Sequence, residues 1–236
     1  ALSTNLSRIA AGALLTNQSF DVAFENLSDD MLVVWGNDTV ADLQYVTRGA
    51  GVGGAWGTTS TQTTLPEEPT DMQLVSEPYS DYIAYVNATD NGADGDAAMW
   101  TGGAWGNVSN YDAALDTIAA GTKNVSGAWV QNGAQSRFVL IYDDNNNAGI
   151  DWTVFNKNAG TWALQTDYNV APSPASNNDL MLRMYTNIFS TDQAIAIVID
   201  GAQDLFMKKL TFDGTTLTWA SVEGGASPEA TISVAN

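Results

Sequence analysis

All-β, in four consecutive repeats of four strands each, is the fold class the sequence predicts, and three observations carry the prediction. A tryptophan follows a glycine-containing turn four times, in "GGAW" ending at Trp56 and again at Trp105, in "NAGTW" at Trp162 and in "DGTTLTW" at Trp219; the intervals are 49, 57 and 57 residues. An aspartate stands just before the third apolar segment of each repeat, at Asp42, Asp96, Asp151 and Asp204, spaced by 54, 55 and 53 residues. Between these markers the apolar residues alternate or run continuously over four to eight positions, which is the pattern of strands and not of amphipathic helices.

The elements follow in order. Each repeat opens with a hairpin: "FDVAF" (20–24) and "MLVVW" (31–35), "MQLVS" (72–76) and "YIAYV" (82–86), "GAWVQ" (127–131) and "RFVLIY" (137–142), "LMLRMY" (180–185) and "QAIAIVI" (193–199). The second strand of each pair is almost wholly apolar, as expected of a strand covered on both faces. A third strand follows, "LQYV" (43–46), "AAMW" (97–100), "DWTVF" (151–155) and "LFMKKL" (205–210), and the Gly turn then leads to the tryptophan at the head of a fourth strand. A four-stranded sheet of this kind cannot bury both faces alone, so successive sheets must stack face to face. The predicted architecture is β-propeller-like, with four four-stranded blades at about 19–66, 71–118, 126–170 and 179–224 in a single domain. Each tryptophan is expected to fill the gap between neighbouring blades. Residues 1–18 and 229–236 are left as extra terminal strands, able to complete a blade or to pair with another subunit, and the chain reads equally as a mature protein or a piece of a longer array.

Composition narrows the function. Eight Lys and Arg stand against 27 Asp and Glu, a formal net charge of −19, and such a surface repels nucleic acid and anionic lipid. No apolar run approaches the roughly 20 residues needed to cross a bilayer, so no membrane insertion is expected. With no Cys and no His, thiol nucleophiles, Ser-His-Asp triads, disulfides and the usual zinc sites are excluded. Seven Asn-x-Ser/Thr sequons, at Asn5, Asn17, Asn26, Asn37, Asn87, Asn107 and Asn124, are candidate glycosylation sites and suit an extracellular or cell-surface protein.

The arrangement "FDVAFENLSDDMLVVWG … LQYV … GGAW" with "DMQLVSEPYSDYIAYVNA … AAMWTGGAWGNV" resembles the tandem propeller-type repeats of large exported bacterial and archaeal surface proteins of mostly unassigned function, over residues 19–222. The resemblance implies blades and a surface location, not an activity.

Candidate chemistry is sparse. The acidic loops "NATDNGADGDAA" and "YDDNNNAGID" offer Asp90, Asp94, Asp96, Asp143, Asp144 and Asp151 as oxygen ligands for calcium, the one cofactor the sequence suggests; turn formation is the competing use of the same residues. The four repeated aspartates would ring one rim, as a cation-attracting mouth or as acceptors of turn N–H groups. A sialidase-like enzyme would need an arginine cluster, and the chain has only Arg8, Arg48, Arg137 and Arg183, so no enzyme is expected. Tyr79, Trp100 and Trp129 are candidate sugar-stacking rings. The sequence therefore points to an extracellular structural or adhesive protein that associates with itself or other surface proteins through its terminal strands, and alternatively to a carbohydrate-binding, lectin-like propeller.

Overall fold

The computed structural model describes residues 20–37, 40–51, 53–62, 69–89, 95–112, 125–143, 150–165, 181–199 and 205–222. These form sixteen strands in four antiparallel four-stranded sheets. Sheet 1 holds β1 (Phe20–Phe24), β2 (Met31–Asn37), β3 (Val40–Arg48) and β4 (Ser60–Gln62). Sheet 2 holds β5 (Pro69–Ser76), β6 (Tyr82–Thr89), β7 (Gly95–Thr101) and β8 (Trp105–Asp112). Sheet 3 holds β9 (Val125–Asn132), β10 (Gln135–Asp143), β11 (Ile150–Asn156) and β12 (Thr161–Gln165). Sheet 4 holds β13 (Met181–Thr186), β14 (Gln193–Ile199), β15 (Leu205–Phe212) and β16 (Leu217–Ser221). Within each sheet the strands neighbour one another in chain order, a meander. The fold is all-β and propeller-like, with four blades that match the repeats.

The chain divides into two compact units, the first ending at Asn110 and the second beginning at Tyr111. In the first, sheets 1 and 2 enclose a core of Ala23, Leu32, Val34 and Leu43 against Met72, Leu74, Ile83, Tyr85, Ala98 and Trp100. In the second, sheets 3 and 4 enclose Val139, Ile141, Trp152 and Val154 against Leu182, Met184, Ala196, Val198, Phe206 and Trp219, among others. Of the second strands, β6 is buried on both faces from Ile83 to Asn87 and β10 from Phe138 to Tyr142, so their continuous apolar runs meet the expectation, whereas β2 alternates from Met31 to Val34. β14 departs from it. Ala194, Ala196 and Val198 are buried, whereas Ile195, Ile197 and Ile199 on the other face are only partly covered. Packing in sheet 3 is close enough to dictate a glycine: a Cβ on Gly127 would lie 2.2 Å from Cζ of Phe138.

The two cores are closed by the same hydrogen bonds at equivalent positions. Between sheets 1 and 2, Leu74 N donates to Asp21 Oδ2 (2.7 Å), Ser76 Oγ to the Phe24 carbonyl (2.6 Å) and Asn26 N to the Ser80 carbonyl (3.3 Å). Between sheets 3 and 4, Met184 N donates to Ser126 Oγ (3.0 Å), Thr186 Oγ1 to the Trp129 carbonyl (2.7 Å) and Gln131 N to the Thr191 carbonyl (2.7 Å). The leading-sheet members, Asp21, Phe24 and Asn26 in one case and Ser126, Trp129 and Gln131 in the other, are spaced by three and then two residues, the first two accepting and the third donating. A three-point clip therefore repeats along with the apolar pattern, each bond contributing about 1 kcal/mol and together setting how far one sheet slides over the next.

Candidate functional site

The repeated tryptophans do not share one environment. Trp105, at the start of β8, lies edge-on to Tyr45 at 5.8 Å, Tyr85 at 5.9 Å and Trp100 at 5.4 Å, and so bridges the aromatic groups of sheets 1 and 2. Trp162 packs on Phe155 (5.3 Å) and Phe138 (6.3 Å). Trp219 is 6% exposed against Trp152 at 5.9 Å. Trp105 and Trp219 pack in or against the two cores as the repeat requires, whereas Trp162 is part-buried on its own sheet and outside both core clusters. Trp56 is 38% exposed and packs in neither core cluster. The reason is local. In sheet 1 the turn after β3 is long, and β4 shrinks to Ser60–Gln62, so Trp56 precedes the strand it was expected to head and makes only an isolated bridge to Arg48.

The loop that carries Trp56 is fixed. Gly49 N donates to the Ala55 carbonyl (3.1 Å), Gly54 N to the Gly51 carbonyl (3.1 Å) and Gly57 N to the Thr47 carbonyl (2.8 Å). A Cβ on Gly54 would fall 1.7 Å from the Gly49 carbonyl oxygen, so only glycine closes this turn. The Arg48 guanidinium sits 5.9 Å from the Trp56 ring centroid and donates to the Gly51 carbonyl at 3.2 Å. Asp30 Oδ1 accepts from Ala50 N (2.7 Å), which ties the loop to the β1–β2 turn.

That turn is in turn locked to the β5–β6 turn. Asp81 Oδ1 accepts from Leu27 N (2.8 Å) and Ser28 N (2.9 Å), and Asn26 Nδ2 donates to the Glu77 carbonyl (2.7 Å). Two buried carboxylates brace the pair from below: Glu25 takes the Trp100 indole N–H and the Ser28 hydroxyl, and Glu77 takes the N–H of Tyr79 at 3.0 Å. Tyr79 itself stands exposed on this braced turn, beside exposed Leu27 on the neighbouring one. One end of the first unit thus presents two rings, Trp56 and Tyr79, on loops tied down by these hydrogen bonds. In the second unit the β13–β14 loop exposes Ile188 and, almost wholly, Phe189; its Asn187, Ser190 and Gln193 bond one another, and Ser190 Oγ bonds Asp192.

Of the sequence-predicted stacking rings, Tyr79 is available, but Trp100 and Trp129 are not: both are buried, Trp129 against Phe138 at 5.3 Å. Their strands are covered on both faces, which a single strand's sequence does not reveal. Trp56 was assigned to the core and is instead the exposed ring. The long Gly-rich stretch 49–54 was the available signal, because it displaces the tryptophan from the strand register.

The acidic candidates divide. Asp96 and Asp151 are buried as the second residues of β7 and β11, opposite Asn87 and Tyr142, so they do not line an open rim. Asp42 and Asp143 lie in β3 and β10 with side chains outside the described set; Asp90, Asp94, Asp144 and Asp204 lie outside the described residues. Among the described residues no three carboxylates come together. Beside Asp96, burial and then the Asp96 charge push the Tyr85 hydroxyl well above its usual pKa, and this hydroxyl has no hydrogen-bond partner among the described residues. Asn26 and Asn107 are exposed, while Asn87 is fully buried with its Oδ1 accepting from Asp96 N (3.0 Å). Asn37 lies in β2, and Asn5, Asn17 and Asn124 lie outside the described residues. Among the arginines, Arg137 lies 5.1 Å over the Phe212 ring and Arg183 donates to the Leu182 carbonyl (2.9 Å). Among the described residues no helix is long and apolar enough to cross a membrane.

Fold and rim together define a propeller-type repeat protein with an aromatic loop face. No family model matches the chain, and no curated protein matches it. Solved structures do. The BP39L lectin of Burkholderia pseudomallei aligns with a TM-score of 0.59 at 12% identity, over 90% of this chain and 55% of that one. The NanB sialidase of Streptococcus pneumoniae aligns at 0.53 and 12%, over 85% and 30%. AofleA of Arthrobotrys oligospora aligns at 0.51 and 15%, over 85% and 56%. At such identities the similarity establishes the fold, and the chain spans little more than half the length of the longer matches or less.

Proposed function

We propose that this chain is a carbohydrate-binding, lectin-like module of an extracellular or cell-surface protein, with adhesion through glycans as its role and no catalytic step of its own. The observation that carries the reading is Trp56. The other three copies bury this tryptophan wholly or in part against aromatic neighbours, whereas the first copy spends a long glycine loop to hold it in solvent beside a guanidinium. An indole gains about 1 kcal/mol or more by covering apolar area, and the C–H face of a pyranose is a surface that fits it without requiring charge. The −19 charge favours neutral glycans over anionic ones. Similarity to the BP39L lectin in fold supports this reading, and the sialidase similarity is not matched by converging arginines among the described residues.

The earlier expectation of strand exchange rests on residues 1–18 and 229–236, which lie outside the described residues. The test is a glycan array followed by calorimetry on the best neutral hit, with Trp56→Ala and Tyr79→Ala beside the parent. Binding that falls at least fivefold in Trp56→Ala, with the melting midpoint lowered by no more than about 4 °C, supports the site. No glycan bound at millimolar affinity, or binding indifferent to both rings, overturns it.

A further inference from the structure

The register of sheet 1 places Trp56 in one row with a second exposed ring. Phe24 pairs with Met31, Met31 with Arg48, and Arg48 with Trp56. Residues directly opposite on neighbouring antiparallel strands project from the same face of the sheet. The Arg48 guanidinium, 5.9 Å from the Trp56 ring centroid, shows that this holds to the end of the row. Ala23 and Leu32, the chain neighbours of Phe24 and Met31, point the other way and lie in the core. Phe24 is 56% exposed and Trp56 38%, with Met31 and Arg48 part-covered between them.

The surface around this row is uniform on one side. The adjoining row is Val22, Val33 and Val46, without a polar side chain. In the third row Trp35 is buried, so the accessible surface is centred on the first two. Neither of those rows holds a carboxylate, and Arg48 is their one charge. Both ends are held. The Phe24 carbonyl accepts from Ser76 Oγ (2.6 Å), and Gly57 N, next to Trp56, donates to the Thr47 carbonyl (2.8 Å). Neighbouring strands lie about 4.8 Å apart, so three steps separate the ends of the row by about 14 Å, and about four linked sugars reach from one ring to the other.

We propose that the row from Trp56 to Phe24 is one extended subsite, which takes a linear neutral glycan laid across the strands of sheet 1. The proposal rests on the carbohydrate-binding reading and names its ligand class. One sugar stacks on Trp56, the chain passes over Arg48 and Met31, and a later sugar stacks on Phe24. Arg48 donates to hydroxyls along one edge of the glycan, while the valine row meets its C–H groups. A β1→4 linkage keeps successive pyranoses extended and so advances by about one sugar per strand spacing. The net charge of −19 disfavours an acidic chain.

The experiment is calorimetric titration of the full chain with β1→4-linked gluco- and manno-oligosaccharides of increasing length. Affinity should climb at least tenfold from the disaccharide to the tetrasaccharide and then level off. Phe24→Ala should lower tetrasaccharide affinity at least fivefold and leave the disaccharide within twofold, whereas Trp56→Ala lowers both at least fivefold. Phe24 is more than half exposed and its bond to sheet 2 comes from the backbone, so the melt should hold. Phe24→Ser serves if the alanine variant folds poorly, and Phe24→Tyr, which keeps the ring, should keep the length dependence. Tyr185→Ala, an exposed ring of the second unit, should change nothing. Affinity that does not rise with length, or that rises equally in Phe24→Ala, overturns the extended subsite and leaves Trp56 as a single-sugar site. A series that goes unbound while Trp56-dependent hits appear on the glycan array does the same. An array without hits removes the carbohydrate-binding reading as well.

Discussion

Trp56 and Trp219 occupy the same position of the repeat, and truncating each to alanine should have opposite consequences. Trp219 is 6% exposed inside the second core with its ring 5.9 Å from Trp152, so Trp219→Ala removes nearly a whole indole of buried area and leaves a cavity. Such truncations cost about 3–5 kcal/mol. For a chain of this length each kilocalorie lowers the melting midpoint by about 2–4 °C, which gives a drop on the order of 10 °C. Trp56 is 38% exposed with the Arg48 guanidinium 5.9 Å from its ring centroid, an interaction worth about 0.5–1 kcal/mol at a surface site, so Trp56→Ala should shift the midpoint by about 4 °C at most. Glycan affinity should follow the reverse order: Trp56→Ala loses it, and Trp219→Ala, assayed well below its own midpoint, keeps it. Thermal melts by circular dichroism and calorimetric titration read both quantities on the same samples. Equal destabilisation by the two substitutions would refute the reasoning, because it would mean that Trp56 belongs to a core after all.

Gly127→Ala should destabilise by about 1–3 kcal/mol, since the added methyl meets Phe138 at 2.2 Å and the surrounding sheet is buried on both faces; a chemical-denaturation midpoint equal to the parent's would contradict the packing. Tyr85→Phe removes a buried hydroxyl that has no partner among the described residues, so stability at neutral pH should hold or rise. Its alkaline behaviour should also change. The folded-state pKa of Tyr85 is raised, so its contribution is intact below the unfolded pKa of about 10 and is lost as pH climbs above that; the phenylalanine variant should lose less stability there in a pH series of melts. Expressed in a glycosylating host, the chain should carry no glycan at Asn87, which is buried, whereas Asn107 is exposed; peptide mapping that finds modified Asn87 would show that this part of sheet 2 opens before or after folding.

Much of the architecture was legible without coordinates because its causes are local. A strand writes its period into neighbouring residues, a hairpin needs its turn residues, and a stacked array repeats both at a fixed interval, so the phased Trp and Asp markers located all four sheets. The site was less legible, since it depends on the one marker that breaks phase. "GGAW" reads the same at Trp56 and Trp105. Only the fold shows that the first follows a long turn into a three-residue strand and the second heads an eight-residue one. The same limit applies to Trp100, Trp129 and Asn87, whose residue types suit a surface but whose faces lie under other strands. By itself, then, the sequence determined the repeat, the strand order and the acidic charge. Tertiary structure decided which rings and which amides meet solvent, because exposure is set by whether another sheet covers a face, and that cover comes from residues more than 50 positions away.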